Sequence, residues 1–265
     1  MYKLRRRQIY NFKEFACILK KRHNVCLYYH VPTTLDPNQF FVVTFSLLFD
    51  TMETSMPFLN YLRKFVDLSD DEFNRCILPI IKVRRVGKKE ILTKAGEVEN
   101  YFNFIVAGLV RKYYRKNDLE INTQISLEGH IILSQESFHS RTVSEYFIET
   151  IEPSVFISIQ FDDLEKLYSL SKKMEHLGRL VITHTMLIKD RWQMQMVKMT
   201  PRERFLNFVM KNPELLQRVP QKYLASYLNI KPETFSRFKH MLQNNSKSAT
   251  KNGTKNTNHT KSVAG

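Results

Sequence analysis

The chain has 265 residues, of which 43% are hydrophobic, and it is long enough to bury a sizeable core in about two domains. Its formal net charge of +15 favours a polyanionic partner such as DNA, although the two ends of the chain carry much of that charge. Three cysteines without a CxxC pair exclude a disulfide framework and are typical of a reduced, cytoplasmic compartment.

Residues 1–55 form a basic extension that we interpret as lying outside the folded unit, with Met52 or Met56 as an alternative start. Residues 1–31 carry eight Lys or Arg and one acidic residue. The apolar run at residues 40–49 is too short to span a bilayer, which needs about 20 residues. No membrane partner is therefore expected, and a partner-binding segment is the alternative interpretation of this run.

Residues 56–170 are expected to form a barrel with flanking helices. Apolar residues repeat at helical spacing at 58–66, and Ser69 before three acidic residues is typical of a helix N-terminus. From about residue 80 to 161, short runs rich in β-branched and aromatic residues alternate with glycine-containing turns. This pattern predicts an antiparallel jelly-roll barrel and, with the helices, an α+β fold.

Residues 171–199 are expected to form a long dimerisation helix. About 28 residues give a helix of about 42 Å, more than one barrel can cover. Apolar residues at mixed spacings of three and four form a broad stripe. To the dimer seam we assign Leu177, Leu180, Val181, His184, Leu187 and Ile188. The alternatives are that the stripe packs on its own barrel and that His184 acts as a pH switch.

Residues 200–242 are expected to form a helix-turn-helix domain. Thr200, Pro201 and Glu203 match a helix N-cap, a first-turn proline and a capping box. Residues 221–242 predict two short helices, with Asn229 suited to the left-handed turn between them and Pro232 to the start of the second. The residues after it, 243–265, are rich in Asn, Lys, Ser and Thr and are expected to be disordered.

The exposed face of the second helix is suited to reading DNA. Arg237 can bond guanine in two places, and Glu233 can accept from cytosine N4. Ser, Thr and Lys side chains can hold phosphates. The candidate DNA-binding residues are Gln221, Lys231, Glu233, Thr234, Ser236, Arg237 and Lys239. The alternative is an ordinary helical hairpin with a solvated charged face.

This stretch resembles the helix-turn-helix of the Crp/Fnr family of bacterial transcription regulators, in which a Gln opens the first helix and Glu-Thr-x-x-Arg lies on the second. These residues fall on Gln221, Glu233, Thr234 and Arg237. Pro232 departs from the pattern, and the usual β-hairpin wing is not expected after residue 242. The resemblance implies a homodimeric regulator bound to double-stranded DNA, with RNA polymerase as a candidate partner.

Residues 87–92, 95–97 and 104–110 resemble the cyclic-nucleotide-binding-type sensor barrel of the same family, in its Bacteroidetes-type members. In cyclic-AMP binders a Gly-Glu pair and an Arg hold the ribose and the cyclic phosphate. Here Glu136 is kept, Gln135 replaces the Gly, and Ser144 takes the place of the Arg. Arg141 either substitutes for the phosphate-binding Arg of the family or is a structural residue. The resemblance implies a sensor, or a vestigial one, with an unknown effector; cyclic AMP and other cofactors are not expected.

Enzymatic and metal-binding functions are not favoured by the sequence. It shows no Ser-His-Asp ordering and no Walker or GxGxxG loop. No metal site is expected, because no common zinc-finger spacing is matched by Cys17, His23, Cys26 and His30. A ligand-binding or protein-interaction module that has lost DNA reading remains the alternative function.

Overall fold

The structure is a computed structural model that describes the backbone of residues 37–253 and the side chains of residues 50–242. Helix α1 (Pro37–Leu62) leads through a loop to the short helix α2 (Asp70–Glu72). A π-helical turn (Phe73–Ile77) and a 3-10 turn (Leu78–Ile80) then enter the first strand. The predicted cap of α2 is confirmed, since the Ser69 and Glu72 side chains each accept the other residue's backbone N–H, at 3.2 and 3.0 Å.

Eight antiparallel strands form two four-stranded sheets, which we call the barrel (residues 81–160). The strands are β1 (Ile81–Val86), β2 (Ile91–Thr93), β3 (Tyr101–Ala107), β4 (Val110–Lys116), β5 (Leu119–Ser126), β6 (Ile131–Ile132), β7 (Phe147–Thr150) and β8 (Ser154–Gln160). Their order is β1-β8-β3-β6 in one sheet and β2-β7-β4-β5 in the other. This arrangement confirms the predicted antiparallel barrel.

Gly108 is required at the turn between β3 and β4. Its φ of +101° lies in the region that side chains disfavour, and a Cβ there would lie 2.2 Å from the Ser154 Oγ. The turn therefore brings the backbone against the start of β8, so that the strands from both sheets can bury Ile105, Val110, Ile132, Ile148 and Phe156 between them.

The remaining helices are α3 (Gln135–Ser140), inserted in the barrel, and α4 (Phe161–Leu170), α5 (Lys172–Lys198), α6 (Pro201–Lys211), α7 (Leu215–Arg218), α8 (Gln221–Tyr227) and α9 (Pro232–Gly253). We call residues 200–242, with α6 to α8 and the first part of α9, the head. The predicted capping box at Thr200 and Glu203 is confirmed, as is the left-handed Asn229, at φ +51°. No helix within residues 37–253 is long and apolar enough to cross a membrane.

The two ends of the folded part differ from the sequence-based expectation. Helix α1 passes through the expected boundary between residues 55 and 56, and Ser55 is buried, with its Oγ donating to the Met52 carbonyl at 2.8 Å. Helix α9 continues to Gly253, so the segment expected to be disordered from residue 243 is helical that far. A helix that is already nucleated extends at little cost. The expectations for residues 1–36 and 254–265, including the four candidate Cys and His ligands, lie outside the described residues.

Candidate nucleic-acid interface and sensor barrel

Helices α6, α8 and α9 pack into one small core that supports the start of α9. Leu224, Ala225 and Leu228 of α8 and its turn are buried, as is Phe235 of α9. The Phe235 ring meets the Phe205 ring of α6 edge to face, with centroids 5.0 Å apart. The spacing of apolar residues in the sequence predicted this buried face correctly.

The opposite face of α9 is open to solvent. Lys231, Glu233 and Arg237 are exposed, and Thr234 and Lys239 are half-buried. Within residues 50–242 Arg237 forms no ion pair, and its guanidinium lies 5.8 Å from the Phe238 ring centroid. Ser236 is less free, because the Gln221 side chain donates to its Oγ and so joins the start of α8 to α9. Gln221 and Ser236 thus help to hold the two helices together. The side chains that remain available to a ligand are those of Lys231, Glu233, Thr234, Arg237 and Lys239.

Arg204 joins the head to the end of α5. Its guanidinium donates to the carbonyls of Met199 (2.8 Å) and Met196 (3.2 Å), which end α5. It also donates to Leu228 (2.9 Å) and Asn229 (3.0 Å), in the turn of the helix-turn-helix. This residue was missed by sequence reasoning, since an Arg in the first turn of a helix gives no sign of distant carbonyl partners.

The head also rests on its own barrel. Arg218 forms ion pairs with Glu128, at 2.7 Å, and with Glu152. The Asn122 N–H of β5 donates to Ser226 Oγ of α8 at 2.9 Å. Apolar contacts complete the junction, because Leu109, Ile125 and Ile151 of the barrel share one buried cluster with the core of the head.

Arg111 of β4 lies at the centre of this junction and is only 2% exposed. Its guanidinium lies 4.0 Å from the ring centroids of both Tyr113, in the barrel, and Tyr223, in α8. It is paired with Glu120 at 2.7 Å and Glu149 at 3.1 Å, so its charge is compensated within the barrel. A delocalised cation between two aromatic rings gains cation–π attraction on both faces.

The three candidate effector residues lie in different surroundings. Glu136 is exposed on α3. Arg141 donates to the Glu99 carbonyl at 2.8 Å and to Asn100 Oδ1 at 2.6 Å, and it lies 4.1 Å from the Phe161 ring centroid. Of the two interpretations of Arg141, the structure favours the structural one, because these contacts occupy its guanidinium.

Ser144 is buried and offers a hydroxyl where a cyclic phosphate would need a cation. Its Oγ lies 2.9 Å from the Ser134 Oγ and accepts the Tyr146 N–H at 3.0 Å. Besides Arg111, strand β4 carries a second buried cation, Lys112, whose Nζ donates to the Leu133 carbonyl at 3.4 Å. Burial lowers the pKa of Lys112 to about 8. Sequence reasoning missed this residue, because lysine side chains are almost never fully buried.

Glu99 is the buried carboxylate of the barrel. Burial raises its pKa, although Thr93 Oγ1 (2.7 Å) and the Tyr101 N–H (3.1 Å) donate to its carboxylate. Burial thus disfavours the charged form of Glu99, and the hydrogen bonds to its carboxylate offset only part of that cost. The guanidinium groups of Arg111 and Arg141 are both held by hydrogen bonds, so neither is free to bind a phosphate diester.

We expect cyclic AMP not to bind in the micromolar range. The physical reason is that Arg141 is committed to the fold and Ser144 carries no charge. Isothermal titration calorimetry at micromolar protein concentration should give no saturable heat. Saturable micromolar binding that is lost in Arg141→Ala, with the fold retained by circular dichroism, would contradict this expectation and identify Arg141 as the substitute cation.

The predicted dimer seam divides into two parts. Leu177 and Val181 are buried in the core of the protomer, where α5 packs on α1 and the barrel, so their assignment to a free seam is corrected. Leu180 is half-buried, and exposed His184 lies edge-on to Phe65 with ring centroids 5.2 Å apart. Leu187 and Ile188 remain 48% and 51% exposed. The apolar stripe of α5 is therefore buried within its own chain near the start of the helix, and it is exposed to solvent from the middle of the helix onwards.

A double-sheet barrel, a long helix and a helix-turn-helix head, in this order, match the cyclic-nucleotide-binding fold with a helical C-terminal region. No protein-family model and no curated protein matches this sequence. Among solved structures, FixK2 from Bradyrhizobium japonicum matches with a TM-score of 0.56 and 17% identity, over 63% of this chain and 86% of that one. The c-di-GMP responsive global regulator CLP from Xanthomonas campestris matches with a TM-score of 0.50 and 15% identity, over 63% and 88%.

FixK2 and CLP are regulators of the Crp/Fnr family. At this level of identity the likeness shows the fold, so the predicted resemblance to Crp/Fnr regulators is confirmed at the level of fold. The narrower resemblance to Bacteroidetes-type members, and the role of each proposed site residue, stay predictions.

Proposed function

We propose that this chain is a homodimeric, sequence-specific DNA-binding transcriptional regulator of the Crp/Fnr type, acting in the cytoplasm. The observation that carries the proposal is the exposed charged face of α9, presented by a well-packed head at the end of a helix that still has a free apolar face. The Crp/Fnr fold of the solved relatives supports it.

In this proposal the start of α9 enters the major groove. Arg237 contacts a guanine edge, and Glu233, one turn earlier, orients it or accepts from a cytosine. Lys231, Thr234 and Lys239 hold phosphates on either side of the groove. The hydrogen bond between the Gln221 and Ser236 side chains sets the angle between α8 and α9. In this proposal the other polar atoms of Gln221 contact the DNA backbone.

Dimerisation places two such heads on one operator. A two-fold axis along the free face of α5 would relate the heads and set their recognition helices about 34 Å apart, one turn of DNA. A near-palindromic site follows from this symmetry. Arg218 and Arg111 join the barrel to the head. A change in the conformation of the barrel would therefore change the spacing of the two heads.

A salt-dependent gel shift on genomic fragments tests this function. Genome-wide footprinting supplies the bound sequence, and a shuffled fragment of the same length is the control. A specific site should bind about a thousandfold or more tighter than the shuffled one, and it should remain bound at salt that releases the control. Equal affinity for both fragments at every salt concentration would instead favour a ligand-binding or protein-interaction module that has lost DNA reading.

A further inference from the structure

The first helix of the helix-turn-helix, α8, covers the open edge of the barrel. Strand β5 is the last strand of its sheet, so the backbone groups on its outer side have no neighbouring strand. Ser226 of α8 takes the place of such a strand, because its Oγ accepts the Asn122 N–H at 2.9 Å and donates to the Glu120 carbonyl at 3.4 Å. A head that moved away from the barrel would leave these backbone groups without their partners.

Charged contacts surround this edge and also cross from the barrel to the head. Arg218 of the head pairs with Glu128 and Glu152 of the barrel. Tyr223 of α8 covers one face of the Arg111 guanidinium, which is 2% exposed and lies 4.0 Å from the centroid of that ring. Separation would therefore uncover a buried cation and leave two carboxylates unpaired, in addition to exposing the apolar cluster that the two parts share. An apolar interface of this kind opposes the relative motion that domains otherwise show.

Helix α5 holds the head as well. Trp192 of α5 stacks on Tyr227 of α8, with ring centroids 4.3 Å apart and ring planes 4° apart. Arg204 donates to the Met199 carbonyl at the end of α5 and to the Leu228 carbonyl in the turn of the helix-turn-helix. A rotation of the head about the junction of α5 and α6 would therefore break contacts with α5 as well as with the barrel.

We propose that the head is locked to its own barrel, so that the two move as one rigid body and do not hinge between α5 and α6. The consequence for regulation rests on the proposed function. The spacing of the two heads is set by how two rigid copies pack along α5, and a ligand or partner that changes DNA binding acts on that packing or breaks the junction.

Hydrogen exchange of the full chain without DNA, measured at single amides, tests this lock. The Asn122 N–H is the reporter, because its acceptor, Ser226 Oγ, belongs to the head. A swinging head would populate its undocked state at about 0.1–10%, which limits the protection of this amide to about a thousandfold at most. We expect protection above that limit, approaching the protection of the amides in β8, which lies between β1 and β3.

Two separate variants weaken the junction and keep the reporter hydrogen bond in place. Arg218→Gln removes the ion pairs with both carboxylates of the barrel. Tyr223→Leu removes the aromatic ring from one face of Arg111. Each variant should make the Asn122 N–H exchange about tenfold faster, since each removes charge-assisted or cation–π contacts that hold the head on the barrel.

The matched control is Arg85→Gln, which removes an ion pair of 2.9 Å with Asp50 and so joins only the barrel and α1. Its Asn122 N–H should exchange like that of wild type. Wild-type protection below about a thousandfold, or junction variants that exchange like the control, would overturn the lock.

A second measurement adds operator DNA to the wild-type chain. The Asn122 N–H should stay as protected as in the free chain, because the head binds DNA while it remains on the barrel. Faster exchange in the complex would show that the head leaves the barrel to bind DNA, and the lock would be wrong. If no operator is found, the proposed function fails, but the measurement on the free chain still decides whether the head is locked.

Discussion

Replacing Leu187 and Ile188 together with glutamate is expected to convert the proposed dimer to single chains and to abolish binding to a two-fold operator. Both side chains are about half exposed in the protomer, so the substitutions should leave its fold intact. In a dimer they would place four carboxylates in an apolar interface, and each buried unpaired charge costs several kcal/mol, on the order of a hundredfold or more in dissociation constant. Sedimentation velocity measures the change directly.

The control for this variant is Met186→Glu/Gln193→Glu, which adds the same charge to exposed positions on the opposite face of α5. It should sediment as a dimer and bind DNA like wild type. If the Leu187/Ile188 variant also sediments as a dimer, α5 is not the interface. If it is monomeric yet keeps full operator affinity, a single head is sufficient to bind the operator, and the proposed two-fold recognition is wrong.

Replacing Arg237 with alanine is expected to weaken binding to the preferred operator by about 1–3 kcal/mol, roughly 5- to 150-fold, and to relax the preference at one base pair of each half-site. Its guanidinium is exposed and makes no ion pair within residues 50–242, so its loss should not destabilise the head. Competition gel shifts with every base at each operator position measure both effects.

Lys239→Ala provides the comparison, because a phosphate contact carries no sequence information. It should weaken specific and random DNA alike and reduce the slope of log affinity against log salt by about one unit. If Arg237→Ala also weakens both kinds of DNA equally, Arg237 is a phosphate contact. Base reading would then be left to Lys231, Glu233, or the shape of the DNA.

The amino-acid sequence alone predicted the elements whose cause is local. The strands of the barrel, the long helix, the capping box at Thr200 and the left-handed Asn229 follow from side-chain periodicity, turn chemistry and backbone sterics within a few residues. The apolar spacing around Phe235 likewise predicted which face of the head is buried and which is exposed.

The tertiary structure decided what depends on residues far apart in the chain. Leu177 and Leu187 belong to one apolar stripe, yet only packing against α1 and the barrel buries the first and leaves the second free. The sequence left Arg141 open between two roles, and contacts with Glu99, Asn100 and Phe161 favour the structural one. The role of Arg111 likewise could not be predicted from the sequence, because its carboxylate and aromatic partners come from strands and a helix that meet only when the chain folds.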